Sequence, residues 1–207
     1  MINFKFGNLT IFPALERQDL LASKVAEALV SLPNASEVGI AEIDPTLSDT
    51  AAFCAHYGVA LDRAANCVVL EAARADRSWF AACVVLGTTR ADVNRLARHT
   101  LEARKVSFAS MEKAITQTDM EYGAITPIGL PEDWPILIDK RVDDADSVII
   151  GSGMRKRKSS FMEACSAHCR THEFSKDWVR RSKWMRSRSI LATEHMDEDQ
   201  AALPEPP

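Results

Sequence analysis

Glycine and proline are scarce in this chain, 8 and 9 among 207 residues. No apolar run reaches the roughly 18 residues that a membrane-crossing helix needs. The opening MINFKFGNLTIF lacks the basic-then-apolar layout of a secretory leader. These absences predict a soluble, cytoplasmic protein with no membrane partner. The five cysteines are an odd number. Cys54, Cys67 and Cys83 lie inside apolar segments, where a free thiol behaves as a small hydrophobe, so they are expected to be reduced core residues.

Several catalytic signatures are missing as well. There is no G-x-G-x-x-G, which argues against a dinucleotide site. There is no G-x-S-x-G elbow, so a hydrolase triad has no nucleophile turn to stand on. His56 and His99 fall in predicted helices, and His99 sits among arginines. CSAHCRTH (165–172) holds two Cys and two His in eight residues. On a helix Cys165, Cys169 and His172 would share a face, with His168 close by. Four ligands on one short helix cannot readily surround a tetrahedral ion, and the spacing matches no C-x2-C pair, so no metal is expected.

What is present is uneven in charge. Residues 155–188 carry 11 Lys+Arg against 3 Asp+Glu, whereas residues 189–207 carry 5 Asp+Glu and no Lys or Arg. The first stretch suits a polyanion. It is read as a basic C-terminal extension (156–190), and the second as an acidic disordered tail (191–207). The remainder, 1–155, has enough apolar content for one core.

Within it, hydrophobic spacing predicts a helix over 14–32, stopped by Pro33 and Asn34. A strand follows at 36–43, then a helix near 48–57 ended by Gly58. NCVVLEA (66–72) and WFAACVVLG (79–87) are apolar and β-rich and predict a core hairpin across ARADRS. A helix over 88–101, capped by Thr88 or Thr89, should bury Val93, Leu96, Ala97 and Leu101. KVSFAS (105–110) reads as a strand leading into a helix at about 110–117. Strands are then predicted at 135–142 and 146–153. The order gives a mixed α/β (α+β) domain around a largely antiparallel or mixed sheet.

Between the last helix and those strands lies MEYGAITPIGLPEDWP (120–135), with two glycines and three prolines among apolar residues. Glycine permits close backbone approach and proline rigidity, which describes a pocket wall as well as a structural turn. A second candidate is Gly151-Ser152-Gly153 with Arg155, at the end of an apolar strand, where Arg155 could hold a phosphate.

Several of these segments together resemble the YbaK/EbsC family, related to the editing domain of bacterial prolyl-tRNA synthetases. GAITPIG resembles its G-x-x-x-P loop. NCVVLEA and AACVVLG resemble its central hairpin, and TRADVNRLARHTLEARKVSFASMEKAITQT its helix, strand and helix before the loop. PILIDKRV resembles the strand after the loop, and VIIGSGMR its V-x-x-G-x-G-x-R strand. The likeness spans roughly residues 20–160. It implies a YbaK-like fold with a central mixed, barrel-like sheet flanked by helices. It implies trans hydrolysis of the ester joining a small, wrong amino acid to tRNA, with no cofactor. The implied partner is aminoacyl-tRNA, with an aminoacyl-tRNA synthetase as a second candidate.

The resemblance also implies site residues. Gly123 would be catalytic through its backbone. Thr118, Tyr122, Ala124, Ile125, Thr126 and Pro127 would bind substrate, with Asp139, Gly151, Ser152, Gly153 and Arg155 near the pocket rim. The family opens its first hairpin strand with a lysine, in a pattern like K-T-L-V-V. Cys67 holds that place here, beside Asn66. Either Asn66 or another group substitutes, or Cys67 acts as a nucleophile, or the chain is a catalytically weak module that binds tRNA or an aminoacyl group.

Overall fold

The computed structural model describes residues 6–47, 49–155, 159–165 and 190–193, the last two segments by their backbone. The CSAHCRTH cluster beyond Cys165, most of the basic stretch and nearly all of the acidic tail lie outside the described residues.

The core hairpin is longer than its apolar pattern indicates. Strands β3 (Ala65–Arg74) and β4 (Arg77–Leu86) are each ten residues long. Only Ala75 and Asp76 separate them, and Ala75 takes φ 51° in the left-handed region that such two-residue turns require. Polar ARADRS therefore contributes mainly strand ends. Around this hairpin lie β5 (Lys105–Phe108), β6 (Ile136–Asp139) and β9 (Ile190–Thr193), in the order β5-β3-β4-β6-β9. β5 and β4 run antiparallel to β3, whereas β6 runs parallel to β4 and β9 parallel to β6, so the sheet is mixed.

A second, antiparallel sheet has the order β1-β2-β8-β7. It comprises β1 (Ile11–Pro13), β2 (Gly39–Ile43), β7 (Ser147–Gly151) and β8 (Ser159–Cys165). A single parallel bridge, Ala64 with Ile149, joins the two sheets among the described residues. The sheets therefore meet along one seam and do not close into a barrel.

The central sheet is buried on both faces, and alternation divides its side chains between them. Leu70, Ala72, Ala81, Cys83, Val85 and Leu137 face one core with Val93, Ala97 and Leu101. Val93 and Ala97 come from the helical stretch Val93–Ala97, wound as a π-helix, and Leu101 caps the C-terminal end of its continuation Arg98–Thr100. The stretch starts later than its composition predicts because Asp92, rather than a threonine, caps it by accepting the Arg95 N–H at 2.9 Å. Ala65, Cys67, Val69, Ala82, Val84 and Ile136 face the opposite core. There they meet α1 (Ser23–Val30), the Gly/Pro loop and β7.

Two further differences have local causes. The region 14–32 holds two short 3-10 turns before α1, because Ala22 is extended (ψ 148°) and its N–H is committed to the carbonyl of Ser152 at 3.2 Å. The expected strand 135–142 stops at Asp139, whose carboxylate accepts the Arg141 N–H at 2.8 Å and starts the short helix Lys140–Asp143.

The Gly/Pro loop is clamped to the end of β7 through main chain. Gly153 N–H donates to Ala124 at 2.7 Å, and Glu121 N–H donates to Gly153 at 2.9 Å. A Cβ on Gly151 would lie 2.3 Å from the Ala124 oxygen, which only glycine avoids.

Leu137 is fully buried between strands, so Leu137→Ala should cost about 2–5 kcal/mol in urea unfolding. Val30→Ala, on an exposed helix position, should stay within about 0.5 kcal/mol. Gly151→Ala should cost about 1–3 kcal/mol by forcing the loop off β7.

Candidate functional site

The residues singled out in sequence fall into two groups in space. Gly123, Ala124, Ile125, Thr126 and Pro127 lie on the loop that follows α4 (Met111–Thr118). Gly151, Ser152, Gly153 and Arg155 lie at the end of β7 and just beyond it, against that loop. The clamp brings both groups together. Cys67 projects toward the same core as Ile125 and Ile128. Asn66 and Asp139 belong to the other face: Asn66 Oδ1 accepts from Thr50 Oγ1 at 2.9 Å, and Asp139 shares the face of Cys83 and Leu137. Adjacent strand positions point apart, so Asn66 does not stand beside the Cys67 side chain as an alternative to it.

The loop is shaped by two residues with positive φ, Gly123 (+85°) and Gly129 (+82°). At Gly129 a Cβ would meet the Lys24 carbonyl oxygen at 2.7 Å, so the loop lies directly on α1. At Gly153 (φ +83°) it would meet the Ala22 Cβ at 2.7 Å. The loop thus sits between the N-terminal helix and the end of β7. Ala22, Lys24 and Glu121 complete the site although nothing in their local sequence marks them; they act through contacts between distant segments.

Burial and hydrogen bonding sort the loop residues by role. Thr118 is buried, but its hydroxyl donates to Ala114 O at 2.7 Å and accepts from Met120 N–H at 3.2 Å. Its polar capacity is used in ending α4. Ser152 is fully buried and its carbonyl holds the start of α1. Thr126 is different. It is fully buried, and its Oγ1 has no hydrogen-bond partner. The backbone N–H groups of Gly123, Ile125 and Thr126 also make no hydrogen bond to a described residue. Buried polar groups are nearly always paired, so the buried, unpaired Thr126 hydroxyl, like Asn34 Oδ1 and Arg63 Nε elsewhere, has capacity for a partner outside the described residues, while the Gly123 amide lies on an exposed residue. Such donors can stabilise negative charge developing on a carbonyl oxygen.

The thiol chemistry points the other way. Burial, with the neighbouring Cys83 adding to it, holds the Cys67 thiol well above the ordinary range. Cys83 is pushed up to about 12 by burial and then by the charge of Asp139. Nucleophilic attack needs the thiolate, which these surroundings disfavour. Among the described residues no cluster of His, Cys, Asp and Glu could hold a metal.

Elsewhere, a cavity of about 480 Å³ opens on the β1–β2 side, lined by Asn8, Leu9, Thr10, Phe12, Arg17, Glu42 and Tyr57. Its Arg17 is bound to Glu42 at 2.7 Å and to Asp19 at 3.0 Å, and none of its lining residues belongs to the Gly/Pro loop. Among the described residues no helix is long and apolar enough to cross a membrane.

Comparison with known proteins agrees with this geometry. No curated protein sequence matches the chain. Solved structures do. One described as "a putative trans-editing enzyme for prolyl tRNA synthetase" is 14% identical, with a TM-score of 0.60, over 84% of this chain and 96% of its own. Hypothetical protein APE2540 is 16% identical, with a TM-score of 0.62, over 83% of this chain and 99% of its own. At such identities the likeness is one of fold. The family model for the aminoacyl-tRNA editing domain matches residues 44–161, more than half of the chain, including the hairpin, the Gly/Pro loop and the end of β7. The chain therefore belongs to the aminoacyl-tRNA editing domain family.

Proposed function

We propose that this chain is an aminoacyl-tRNA deacylase acting in trans, which hydrolyses the ester joining a small, mischarged amino acid to tRNA. The observation that carries this reading is the set of unpaired donors on the loop: the Thr126 hydroxyl and the N–H groups of Gly123, Ile125 and Thr126. They lie within the segment that matches the editing family.

The chemistry follows from those groups. Water adds to the ester carbonyl, and its oxygen forms the new bond to carbon. Negative charge gathers on the former carbonyl oxygen, where backbone N–H donors stabilise it most in the transition state. The intermediate then collapses, the bond to the ribose oxygen breaks, and that oxygen leaves with a proton as the tRNA hydroxyl. Amino acid and free tRNA are the products. A neighbouring tRNA hydroxyl can guide the water, so no nucleophilic side chain, metal or organic cofactor is required of the protein. The partner is aminoacyl-tRNA, with the synthetase that makes the error as a second; a cytoplasmic location suits both.

The observation favouring a different outcome is Cys67 in place of the family lysine. A neutral, half-buried thiol supplies no cation for phosphate or developing charge. A module that binds aminoacyl-tRNA without turning it over is the alternative.

A panel of mischarged tRNAs separates the two. Turnover above buffer with at least one small amino acid supports the deacylase; binding without turnover of any, unimproved by Cys67→Lys, supports the module. Cys67→Ala should keep at least about half of the wild-type kcat/KM, since the thiol stays protonated. For the same reason the rate should show no thiol inflection between about pH 6 and 9, given the ordinary thiol pKa near 8.5. A collapse of activity in Cys67→Ala would reinstate the thiol as nucleophile.

A further inference from the structure

One edge of the central sheet is open. β5 stands at the end of the order β5-β3-β4-β6-β9, so among the described residues no strand pairs with its outer side. Antiparallel pairing turns alternate residues toward the neighbouring strand. The Ala109 N–H donates to the Val69 carbonyl at 2.9 Å, in the register that sets Ser107 against Glu71 and Lys105 against Ala73. Residues 105, 107 and 109 therefore turn their main-chain groups to β3, and the N–H and C=O groups of Val106 and Phe108 point outward. A row of outward main-chain groups is a template for a further strand.

The side chains around this edge are apolar where they meet water. Phe108 is 58% exposed, on the face it shares with its β3 partner Leu70. On α4, Met111 is 58% and Ile115 39% exposed. At 3.6 residues per turn each stands roughly 160° around the helix from Lys113. Lys113 Nζ reaches back to Glu71 of β3 at 2.7 Å, so the apolar flank of α4 lies away from β3. Three of the eight large apolar side chains exposed among the described residues thus fall within residues 108–115, a patch rather than a scatter. Charges of both signs frame it. Lys105 and Glu112 are exposed, and neither has an ion-pair partner among the described residues.

We propose that a second copy of this chain docks on the β5 edge, antiparallel to the first, about a two-fold axis at Ser107. The outward groups dictate this register. With the axis at Ser107, Val106 of each copy faces Phe108 of the other, and both pairs exchange N–H···O=C bonds. An axis at Val106 would set Phe108 against Arg104, whose N–H is bound to Ala73. An axis at Phe108 would set Val106 against Ser110, which caps α4. The favoured register also lays Val106 and Phe108 of opposite copies on one face. On the other face it places Lys105 opposite Ala109 of the second copy, three residues before Glu112, so unlike charges meet once on each side of the axis. The pairing joins two five-stranded sheets into one, with both α4 helices on the same face. Since α4 leads into the Gly/Pro loop, the interface braces the element that carries it.

The test is sedimentation equilibrium of the full-length protein from about 2 to 200 µM, the range in which a small interface shows its dissociation. Wild type should pass from monomer toward dimer across that range. Phe108→Lys, at an exposed position that leaves the fold intact, should raise the dissociation constant at least about 10-fold. Lys105→Glu alone and Glu112→Lys alone should each raise it about 5-fold, because like charges then face each other. Mixed in equal amounts, these two variants should regain wild-type affinity to within about twofold as a heterodimer, since each supplies the charge the other lacks. Ser107→Cys should oxidise to a covalent dimer, because residues facing each other at the axis lie about 4.5 Å apart at Cα, within disulfide range. Wild type, with its own five cysteines, is the control for that cross-link.

Recovery of affinity in the mixture together with the Ser107→Cys cross-link supports the β5 dimer. A dimer unmoved by Phe108→Lys and by both charge variants uses another face and overturns it. A chain that stays monomeric throughout overturns it too, and hydrogen exchange then identifies the cause. Val106 and Phe108 amides protected in the monomer mean that another segment of the same chain covers the edge, and amides that exchange freely mean that nothing does.

Discussion

Everything at the site depends on a main-chain clamp between residues 121–124 and 151–153. Gly153 donates to the Ala124 carbonyl at 2.7 Å and accepts from the Glu121 N–H at 2.9 Å, and Gly151 lets the Ala124 carbonyl approach where no side chain would fit. A clamp made of backbone is indifferent to most side-chain changes but intolerant of a single added methyl group. It fixes the loop on β7, and so decides which amides are left without protein partners. It also delivers Arg155 to Gly123, because the chain leaves the clamp only two residues before that arginine.

The second organising constraint is the double burial of the central sheet. One face is sealed by the helical stretch 93–100, the other by α1, the loop and β7. Strand alternation then assigns neighbours in sequence to different chemistry. Cys67 belongs to the core of the loop, whereas Asn66 and Asp139 serve the opposite face, as partners of Thr50 and Arg141. The loop face is therefore poor in charged side chains.

Much of this was legible in the sequence, and the exceptions have physical reasons. The hairpin, the strand at 147–151, the helix ending at Gly58 and the Gly/Pro loop all carry strong local signals: β-rich apolar runs, a left-handed C-cap, glycines and prolines in apolar company. The mixed α/β class followed from their order. Strand β1 escaped notice because a three-residue strand has no period to detect. The helix over 14–32 was shortened by a bond from Ala22 to Ser152, which no window around residue 22 contains. The strand at 135–142 ended early because an aspartate that reads as a strand-end residue is also a helix cap. Of the site residues read from sequence, those of the loop and of the end of β7 lie together, whereas Asn66 and Asp139 lie on the opposite face of the central sheet. The glycine at 123 was expected to admit a ligand to the main chain, and its vacant side-chain space is instead occupied by Arg155.

The loop rests on α1 through Gly129 and Lys24, and on β7 through Gly151 and Ala124. Its two supports are thus separated by more than a hundred residues of chain. During synthesis the first support emerges early and the second only after residue 153, with the whole central hairpin made in between. Contacts of such sequence separation are slow to form. The loop is therefore among the last parts of the molecule to take shape, and a nascent chain exposes its apolar residues until the end of β7 arrives to cover them.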